Sequence, residues 1–416
     1  MRRTDQEKPF RISRQIVYEA WKRVKSNGGG PGIDGQSLEA FERKLKSNLY
    51  KIWNRMSSGS YHPPAVKIVS IPKASGGTRD LGIPTVGDRV AQMVVEMLLE
   101  PEIDPKFHED SYGYRPDKSA HDALARARKR CWKVDWVIDL DIKGFFDNIP
   151  HDLMLKAVRK HTKEPWMRLY IERWLRAPAN RGSATEARDK GTPQGGVISP
   201  LLANLFLHYA FDMWMQRNHA ANPFERYADD VIVHCKSQTE AEQLLDSIVV
   251  RLGACGLQVN REKTKIVYCK DANRRKDVNS FKFTFLGYEF RPRIAYNNRG
   301  KRFVSFQPGI CPQAAKAIRA EMREWHLQRR SEKSLEDLAR MFDAKLRGWI
   351  NYYGRFYRSA LYPVFRTLDF AIVRWACRKY KGLRGHKSRA FDWIKRLQQE
   401  APNIWAHWWM LGARRN

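Results

Sequence analysis

Two adjacent carboxylates, Asp229 and Asp230, stand between an aromatic residue and an apolar run in Tyr227-Ala228-Asp229-Asp230-Val231-Ile232-Val233. Neighbouring side chains of a strand point to opposite faces, so both carboxylates reach one site only where the backbone turns. The segment therefore predicts a tight hairpin with negative charge at its tip. Mg²⁺ takes one or two protein carboxylates and leaves the rest of its shell to water and phosphate. The spacing indicates phosphate chemistry; an Asp-Asp turn on an exposed hairpin is the plainer alternative.

A second group of carboxylates precedes this hairpin, in Trp136-Val137-Ile138-Asp139-Leu140-Asp141-Ile142-Lys143-Gly144-Phe145-Phe146-Asp147. The pattern predicts a buried strand whose alternating aspartates share one face before the chain turns into a helix at Pro150. Two metal ions about 3.5–4 Å apart, bridged by carboxylates of separate strands, stabilise the attacking and leaving oxygens of a displacement at phosphorus. The two groups together are typical of a polymerase or a nuclease. Alternatively, Asp139 or Asp147 caps the following helix.

The charge and the aromatic content indicate the kind of partner. The 416 residues include 76 Lys and Arg against 45 Asp and Glu, a net charge of +31, and this excess favours binding to a polyanion. The 14 Trp, 16 Tyr and 19 Phe offer flat faces on which unpaired bases can stack, so RNA is as suitable a partner as DNA. With 43% hydrophobic residues, most aromatics are expected in the cores of two or three domains.

Signals for membranes, disulfides and zinc are missing from the sequence. No apolar stretch of signal-peptide length follows the basic N-terminus, and no apolar run is long enough to span a bilayer. Six scattered cysteines form no Cys-x-x-Cys pair, and the 11 histidines show no metal-ligand spacing near them. We therefore expect a cytoplasmic protein with no membrane partner, no disulfides and no zinc.

Two glycine-rich loops allow the backbone to approach a ligand. The first, over 27–35, follows a helix predicted over 16–25 and serves either as a ligand contact or as a flexible connector. The second is Gly191-Thr192-Pro193-Gln194-Gly195-Gly196, with a helix predicted to begin near Leu201. In this second loop, Gln194 is placed to contact a sugar or a base.

A basic hairpin is predicted between these loops. The residues over 65–73 alternate like a strand, turn at Gly76-Gly77, and resume over 78–84. The hairpin carries Lys73 and Arg79 toward one end. Two cations at a hairpin tip can clamp a triphosphate; the alternative is a solvated basic hairpin in an already basic protein.

The rest of the pattern divides the chain into a mixed part and a helical part. A helix is predicted over 241–252, strand and turn over 257–264, and a short apolar strand over 285–290. Beyond Pro308 strand signals fade, and helices rich in Arg, Lys, Trp and Tyr take over. The fold class is therefore α+β, followed by a second, helical domain.

The order of these motifs resembles the reverse transcriptases of bacterial group II introns. In chain order the motifs are Lys73…Arg79, Asp141 with Phe145, Gly191-Thr192-Pro193-Gln194-Gly195-Gly196, Tyr227-Ala228-Asp229-Asp230, Asn260…Lys263-Thr264 and Phe285-Leu286-Gly287. The segment Leu346-Arg347-Gly348-Trp349-Ile350-Asn351-Tyr352-Tyr353 is similar to that family's maturase, or thumb, domain. The likeness covers nearly the whole chain. It implies a right-hand polymerase, with fingers and palm built on an antiparallel sheet with packed helices, followed by an α-helical thumb.

The resemblance implies four segments. They are an N-terminal fingers extension over 1–60, fingers and palm over 61–300, a helical thumb or maturase domain over 301–384, and a short basic aromatic tail over 385–416. The tail contains no Cys/His cluster of the kind that an HNH-type nuclease module uses, so we expect no DNA endonuclease. Retrohoming would then prime from a nascent strand or a pre-existing nick.

The resemblance also implies the catalytic carboxylates. Asp141 and Asp229 would be direct metal ligands and Asp230 the third catalytic carboxylate, with Ile142 counted among the metal-site residues. Asp139 is the rival of Asp141. We prefer Asp141 because the family pattern Asp-Ile-Lys-Gly, then an aromatic residue and Phe-Asp, begins there.

Further residues are implied for the incoming nucleotide and for RNA. The expected dNTP-contact residues are Lys73, Arg79, Ile142, Phe145, Gln194 and Lys263. The first two would hold the triphosphate, and Phe145 would stack under the deoxyribose and clash with a 2′-hydroxyl. Gln194 would line the pocket, and Lys263 would protonate the leaving pyrophosphate. In the helical domain, Lys345 and Arg347 are expected to contact RNA.

The implied activity is RNA-directed DNA synthesis with two Mg²⁺ ions, for which Mn²⁺ is a candidate substitute. The implied partners are an RNA template with a DNA primer, dNTPs, group II intron RNA whose splicing and mobility the protein assists, and target DNA. One alternative is a stand-alone relative used in DNA repair or phage defence. Another is a splicing-only RNA-binding maturase, against which the intact carboxylate set argues.

Overall fold

Strands and helices alternate through the first two thirds of the chain, and helices dominate the remainder, as the hydrophobic patterns predicted. The computed structural model describes residues 8–72, 76–182 and 184–412. By their contacts the residues divide into two units. The first unit comprises 1–123 and 138–266, and the second comprises 124–137 and 267–416. The domain boundaries expected at 60, 300 and 384 stay predictions.

The bounds of the elements follow the chain. The helices are α1 (Arg14–Asn27), α2 (Leu38–Arg43), α3 (Leu45–Ser57), α4 (Val86–Ile103), α5 (Ala120–Cys131), α6 (Phe145–Asn148), α7 (His151–His161), α8 (Pro165–Arg176), α9 (Ser199–Leu207), α10 (Met213–Asn218), α11 (Gln238–Ala254), α12 (Pro312–Glu324), α13 (Leu335–Tyr353), α14 (Tyr362–Lys379), α15 (Lys387–Glu400) and α16 (Ala406–Gly412). The strands are β1 (Val66–Pro72), β2 (Thr78–Ile83), β3 (Trp136–Leu140), β4 (Ala179–Asn180), β5 (Thr185–Glu186), β6 (Phe224–Tyr227), β7 (Asp230–Cys235), β8 (Lys265–Tyr268), β9 (Phe283–Phe285), β10 (Tyr288–Tyr296) and β11 (Arg302–Ile310).

One four-stranded sheet brings the two groups of aspartates together. Its strand order is β6-β7-β3-β8, so β7 and β3 are its inner strands. Both are largely buried, as expected for near-continuous apolar runs covered on both faces. Helix α9 is apolar and buried over its whole length except Pro200. The aspartates at the start of β7 and along β3 therefore lie on neighbouring, largely buried strands.

The basic hairpin belongs to another sheet, which lies within the first unit. Its strand order is β2-β1-β4-β5, and β1 pairs antiparallel with β2 from Lys67 opposite Ile83 to Pro72 opposite Thr78. The predicted hairpin is therefore confirmed. Lys73, which was predicted at its tip, lies outside the described residues.

The glycine-rich loop over 27–35 is attached to helix α4. Arg89 donates from Nη1 to the carbonyl of Gly28 at 3.0 Å and from Nη2 to the carbonyl of Gly30 at 2.8 Å. A Cβ on Gly32 would lie 2.6 Å from the main chain of Thr85, so only glycine fits there. The main chain of Thr85 therefore fills the space beside Gly32 that a ligand would need, and the loop is held in place rather than being a free connector.

The second unit combines a three-stranded sheet, in the order β11-β10-β9, with helices α12 to α16. Its core includes Leu338, Phe365, Trp375, Trp405 and Trp408. The last two belong to the segment that we expected as a tail. The structure instead buries them in the same core, because helices α15 and α16 return their apolar sides to it.

Three local expectations were wrong. The apolar run over 285–290 is a hairpin rather than one strand, because Leu286 and Gly287 have positive φ angles of 50° and 77° and turn the chain. Within 257–264 the predicted turn is present at 261–263, but the predicted strand is replaced by an isolated bridge from Val259 to Ile142, and β8 begins at Lys265. Neither Asp139 nor Asp147 caps a helix, since Gly144 and Pro150 occupy the N-cap positions without a side-chain bond.

No helix in the described residues combines the length and the apolar character needed to cross a membrane.

Candidate active site

The predicted Asp-Asp hairpin is confirmed. Strands β6 and β7 pair antiparallel, with Tyr227 opposite Asp230, so Ala228 and Asp229 form a two-residue turn. Ala228 has a φ of 55°, a conformation that residues with a Cβ seldom adopt. The surrounding structure must therefore hold this turn in place.

A buried ion pair lies directly behind the turn. The Arg226 guanidinium donates to Asp212 at 2.8 Å (Nε to Oδ1) and 2.6 Å (Nη2 to Oδ2), and both side chains are fully buried. Its Nη1 also donates to Asn204 Oδ1 at 2.9 Å and to the carbonyl of Ala228 at 3.1 Å. The planar guanidinium of Arg226 thus connects the hairpin turn to the helical segment beneath it.

Gly113 packs against the other side of the turn. Asn204 donates from Nδ2 to the carbonyl of Gly113 at 2.7 Å. A Cβ on Gly113 would lie 2.4 Å from the nitrogen of Ala228, so this position tolerates no side chain. The turn is therefore clamped between Gly113 and the Arg226 ion pair.

Asp212 reaches this network from a break in the helical geometry. Helices α9 and α10 are joined by a π-helical turn, His208–Asp212. Such turns lengthen the spacing of main-chain hydrogen bonds and leave carbonyls to be satisfied elsewhere. Arg251 of α11 donates to the carbonyls of Tyr209, at 2.9 Å, and Ala210, at 3.0 Å.

Asp141 is anchored through its main chain, which leaves its carboxylate available. Its N–H donates to Thr264 Oγ1 at 3.2 Å, and its carbonyl accepts from the N–H of Asn260 at 2.8 Å. Lys263 Nζ lies 3.9 Å from Asp141 Oδ2. The Asn260…Lys263-Thr264 motif therefore positions the end of β3.

The carboxylates are close enough to disturb one another. Desolvation and the charges of Asp229 and Asp141 raise the pKa of Asp230 to about 6. Desolvation and Asp141 also raise the pKa of Asp229. Desolvation and Asp230 raise the pKa of Asp139 to about 7. Such a concentration of negative charge, only partly offset by cations, is suited to divalent ions.

The site offers Mg²⁺ two carboxylates rather than a closed cage of protein ligands. Among the described residues, no three His, Cys, Asp or Glu side chains are grouped closely enough to hold a metal alone. Mg²⁺ does not require such a cage, because water and substrate phosphates complete its octahedral shell. Asp141 and Asp229 therefore fit the ion, and Ile142 can add only its main-chain carbonyl.

Most of the predicted site residues share one cleft of the first unit. The cleft has a volume of about 690 Å³. The predicted residues that line it are Arg79, Asp141, Ile142, Phe145, Gln194, Asp229 and Lys263. Asp230 and Asp139 are not among the lining residues, although both interact electrostatically with the carboxylates there.

The loop that carries Gln194 packs against the basic hairpin. The Gln194 carbonyl accepts from the N–H of Gly82 at 2.7 Å. Gly195 has a φ of 113°, and a Cβ there would lie 2.6 Å from the Gly82 carbonyl. The Gln194 side chain donates to Asp147 Oδ2 at 3.4 Å. The loop therefore forms one wall of the cleft.

Phe145 forms part of both the cleft and the core. It lines the cleft, yet it is only 1% exposed. Its ring lies edge-on to Phe146 at 5.3 Å and 6.5 Å from Phe206. Its position is therefore fixed by packing.

The two predicted RNA-contact residues lie on α13 of the second unit. Lys345 is ion-paired with Glu321, and Arg347 Nη2 lies 3.0 Å from Asp343 Oδ2. Both side chains are more than half exposed. Each therefore has a carboxylate partner and access to solvent.

The residues behind the hairpin were missed from the sequence. Asn204 and Asp212 stand in a strongly apolar helical run, and Arg226 immediately precedes Tyr227. Polar residues inside apolar elements are expected to be paired. That signal indicates buried partners, although it does not say which residues pair.

Comparison with known proteins agrees with the geometry. Residues 71–290 match the family described as reverse transcriptase (RNA-dependent DNA polymerase), and residues 315–391 match the group II intron maturase-specific domain. Protein YkfC of Escherichia coli (strain K12) is 31% identical over 343 residues, which cover 72% of this chain and 87% of YkfC.

Two further similarities are more partial. The group II intron-encoded protein LtrA of Lactococcus lactis subsp. cremoris is 36% identical over 197 residues, covering 46% of this chain but only 32% of LtrA. A solved structure of telomerase from Candida albicans with a TWJ fragment of telomeric RNA aligns over 88% of this chain and 69% of that one. Its TM-score is 0.47 and its sequence identity 11%. By its family match over more than half of its length, the chain belongs to the reverse transcriptases of the group II intron type and is an RNA-directed DNA polymerase with a maturase domain.

Proposed function

We propose that the cleft of the first unit adds dNTPs to a DNA primer on an RNA template, with Asp141, Asp229 and Asp230 as the catalytic carboxylates. One observation carries this proposal. Asp141 directly follows β3 and Asp229 directly precedes β7, the neighbouring strand of the same sheet, and both residues line one cleft. The main chain of Asp141 is held by Asn260 and Thr264, and Arg226 holds the carbonyl of Ala228, the residue before Asp229.

Two Mg²⁺ ions, or Mn²⁺ as a substitute, fit this carboxylate set. Asp141, Asp229 and the carbonyl of Ile142 would hold them, with Asp230 adding negative charge beside them. When bound, the ions lower the pKa of the primer 3′-hydroxyl and neutralise charge on the pyrophosphate. The buried network behind the hairpin orients its carboxylates before substrate arrives, which removes reorganisation from the reaction itself.

The other lining residues bind and select the nucleotide. Arg79 lies on β2 at the cleft and holds the triphosphate, and Lys263 lies beside Asp141 to donate a proton to the leaving pyrophosphate. Gln194 lines the nucleotide pocket. Phe145 stacks under the deoxyribose and excludes a 2′-hydroxyl, since its packed ring cannot move aside. Lys73 stays in the proposal on sequence grounds alone.

Group II intron RNA and target DNA are the further proposed partners. The net charge of +31 and the maturase-specific domain support binding to intron RNA and assistance to its splicing and mobility. Base pairing to the template supplies the sequence. The protein needs to recognise only backbone and duplex shape, so affinity should fall steeply as salt is added.

Primer extension tests the proposal. The purified protein should make DNA on an oligo(rA) template with an oligo(dT) primer, dTTP and Mg²⁺, and Asp229→Ala should abolish extension. Asp246→Ala is the matched control, because Asp246 is an exposed aspartate on α11 of the same unit. Extension by Asp229→Ala at the wild-type rate would show that the metal assignment is wrong.

A further inference from the structure

An open cavity of about 580 Å³ lies within the second unit, and the predicted catalytic and RNA-contact residues do not line it. Its wall is formed by strand β10, the first turns of α12 and the segment that leads into α14. The residues on which the argument rests are Glu289, Arg291, Arg293, Arg319, Tyr357 and Val364.

The lining charges leave the cavity positive. Three arginines face one acidic residue, Glu289. Arg291 lies 2.9 Å from the Glu289 carboxylate (Nε to Oε1), and Arg293 lies 3.8 Å from the same oxygen (Nη2 to Oε1). The side chain of Arg319, on α12, makes no hydrogen bond or ion pair within the described part of the chain, and the residue is half-buried. The cavity is therefore short of negative charge.

Arg293 is built into the floor rather than attached to the surface. It is 8% exposed, donates to the carbonyls of Gln307 at 3.2 Å and Glu289 at 3.1 Å, and lies 5.1 Å above the Tyr357 ring. A Cβ on Gly309 would meet its guanidinium at 2.9 Å, so glycine makes room for it. A buried cation held mostly by neutral partners is stabilised further by an anion.

The remaining wall is apolar. Pro312, Ala315, Pro363 and Val364 line it, close to the ring of Tyr357. Helix α12 begins at Pro312, so its positive end also faces this region. Positive charge beside apolar and aromatic surface matches a ligand with a phosphate at one end and a flat ring at the other.

We propose that this cavity binds one unpaired nucleotide of an RNA strand, with its phosphate on Arg291 and Arg319 and its base or ribose on the apolar wall. A cavity of this volume holds a small ligand, and a nucleotide splayed from a single strand can enter it, whereas a base stacked in a duplex cannot. RNA is favoured because residues 315–391, which include Arg319, Tyr357 and Val364, match the maturase-specific domain. The inference deepens the proposed function and rests on its assignment of RNA as a partner.

Photo-cross-linking of the full chain tests the proposal. The probe is a single-stranded oligo(rU) 12-mer with one internal 4-thiouridine, in EDTA and without dNTPs, so that the result is independent of the carboxylate assignment. Mass spectrometry should place a cross-link on the segment that contains Tyr357. Arg319→Ala should lower its yield about tenfold and flatten the slope of log K against log salt by about 0.7, the value of one phosphate contact on a single strand.

Arg323→Ala is the matched control, because Arg323 lies one turn later on α12, is exposed and does not line the cavity. It should leave yield and slope unchanged. Arg319→Lys should keep the slope, since the charge remains, and thermal melts of all variants should coincide. Equal losses in Arg319→Ala and Arg323→Ala, or no cross-link near Tyr357, would overturn the proposal.

Competition identifies the source of the phosphate. Unlabelled single-stranded RNA should displace the probe from the Tyr357 segment, while the same RNA annealed into a duplex should displace it at least about tenfold less well. If UMP or inorganic phosphate competes as well as the oligonucleotide, the cavity binds free small anions. That result would overturn the assignment to RNA.

Discussion

Asp229 and Arg319 each face an open cleft, but the structure supports them in opposite ways. Asp229 sits on a turn that is clamped from behind by a fully buried ion pair and from the other side by a glycine. The guanidinium of Arg319 lies at the end of a long side chain and has no hydrogen-bond or ion-pair partner among the described residues. Metal ions and reacting atoms require short, fixed ligands, whereas a flexible RNA strand can be met by cations that adapt to it.

The buried pair behind Asp229 is therefore better explained by geometry than by stability. Taking Arg226 and Asp212 out of water costs about as much as their attraction returns, so such pairs seldom add net stability. What the pair supplies is a donor to the carbonyl of Ala228 at a defined place. No hydrogen bond or ion pair holds the side chain of Arg319 among the described residues, and we expect this position to tolerate substitution better.

The largest expected effect is at the carboxylates themselves. Asp141→Asn should lower the rate of primer extension by at least about 10²-fold. Even the loss of a group that only orients a metal's ligands lowers metal affinity or activity by about 10–100-fold. Asp139→Asn should lower it far less, since Asp139 does not line the cleft. Loss of extension only in Asp139→Asn would reverse the assignment. Steady-state extension rates decide between them.

The second prediction breaks the scaffold and keeps the carboxylates. Arg226→Met should destabilise the first unit by about 3–5 kcal/mol, because Asp212 is left as an unpaired buried charge. Arg226→Met with Asp212→Leu should recover most of that loss in urea unfolding. Primer extension should nevertheless stay low, since Ala228 and Asn204 no longer have their donor. Full extension by the stable double variant would show that the pair is only structural.

Substitution of Phe145 tests whether a rigid side chain also matters for selecting dNTPs over rNTPs. Phe145→Ala should admit ribonucleotides, but removing a ring that is 1% exposed also costs about 3–5 kcal/mol. Phe145→Val leaves a smaller cavity and should lower the dNTP:rNTP ratio of kcat/KM by roughly 10-fold or more while extension continues. An unchanged ratio in both variants would show that another residue excludes the 2′-hydroxyl.

The smallest effect is expected on α13. Replacing Lys345 and Arg347 with alanine should weaken binding to intron RNA and flatten the salt slope by about 0.7–0.9 for each phosphate that the protein no longer neutralises. Both side chains already have carboxylate partners, so we expect less change than in Arg319→Ala. Unchanged affinity and slope would mean that they only solvate the helix. If polymerisation and RNA binding fell together, a thermal melt would show whether the unit had unfolded.

Local patterns were enough to predict the elements that carry the carboxylates. The Asp-Asp hairpin, the strand that ends before Asp141 and the basic hairpin depend on alternation and turn residues within a few positions of one another. The hairpin at Leu286 was missed because a leucine with positive φ gives no turn signal in the sequence. Short-range rules therefore predicted the hairpins that carry these residues but not every bend of the chain.

The supporting contacts could not be predicted in the same way. Arg226 meets Asn204 and Asp212 only because a strand packs across a helix, and no spacing in the sequence encodes that crossing. The cavity joins Arg291, Arg319 and Tyr357 from three separate elements, and its arginines are indistinguishable from the rest of the 76 basic residues before folding. Long-range packing decides which polar residues are paired.

The π-helical turn has a consequence for insertions and deletions. Eight positions separate Asn204 from Asp212, and in a regular α-helix this spacing would set the two side chains about 80° apart around the axis. Because the π turn absorbs one extra residue, they come within about 20° and can meet the same guanidinium. Deleting one residue from the turn should preserve this phase, since seven regular positions give the same angle. Adding one should rotate Asp212 away from Arg226 and release the Asp-Asp hairpin, so the cleft should tolerate loss of a residue there better than gain of one.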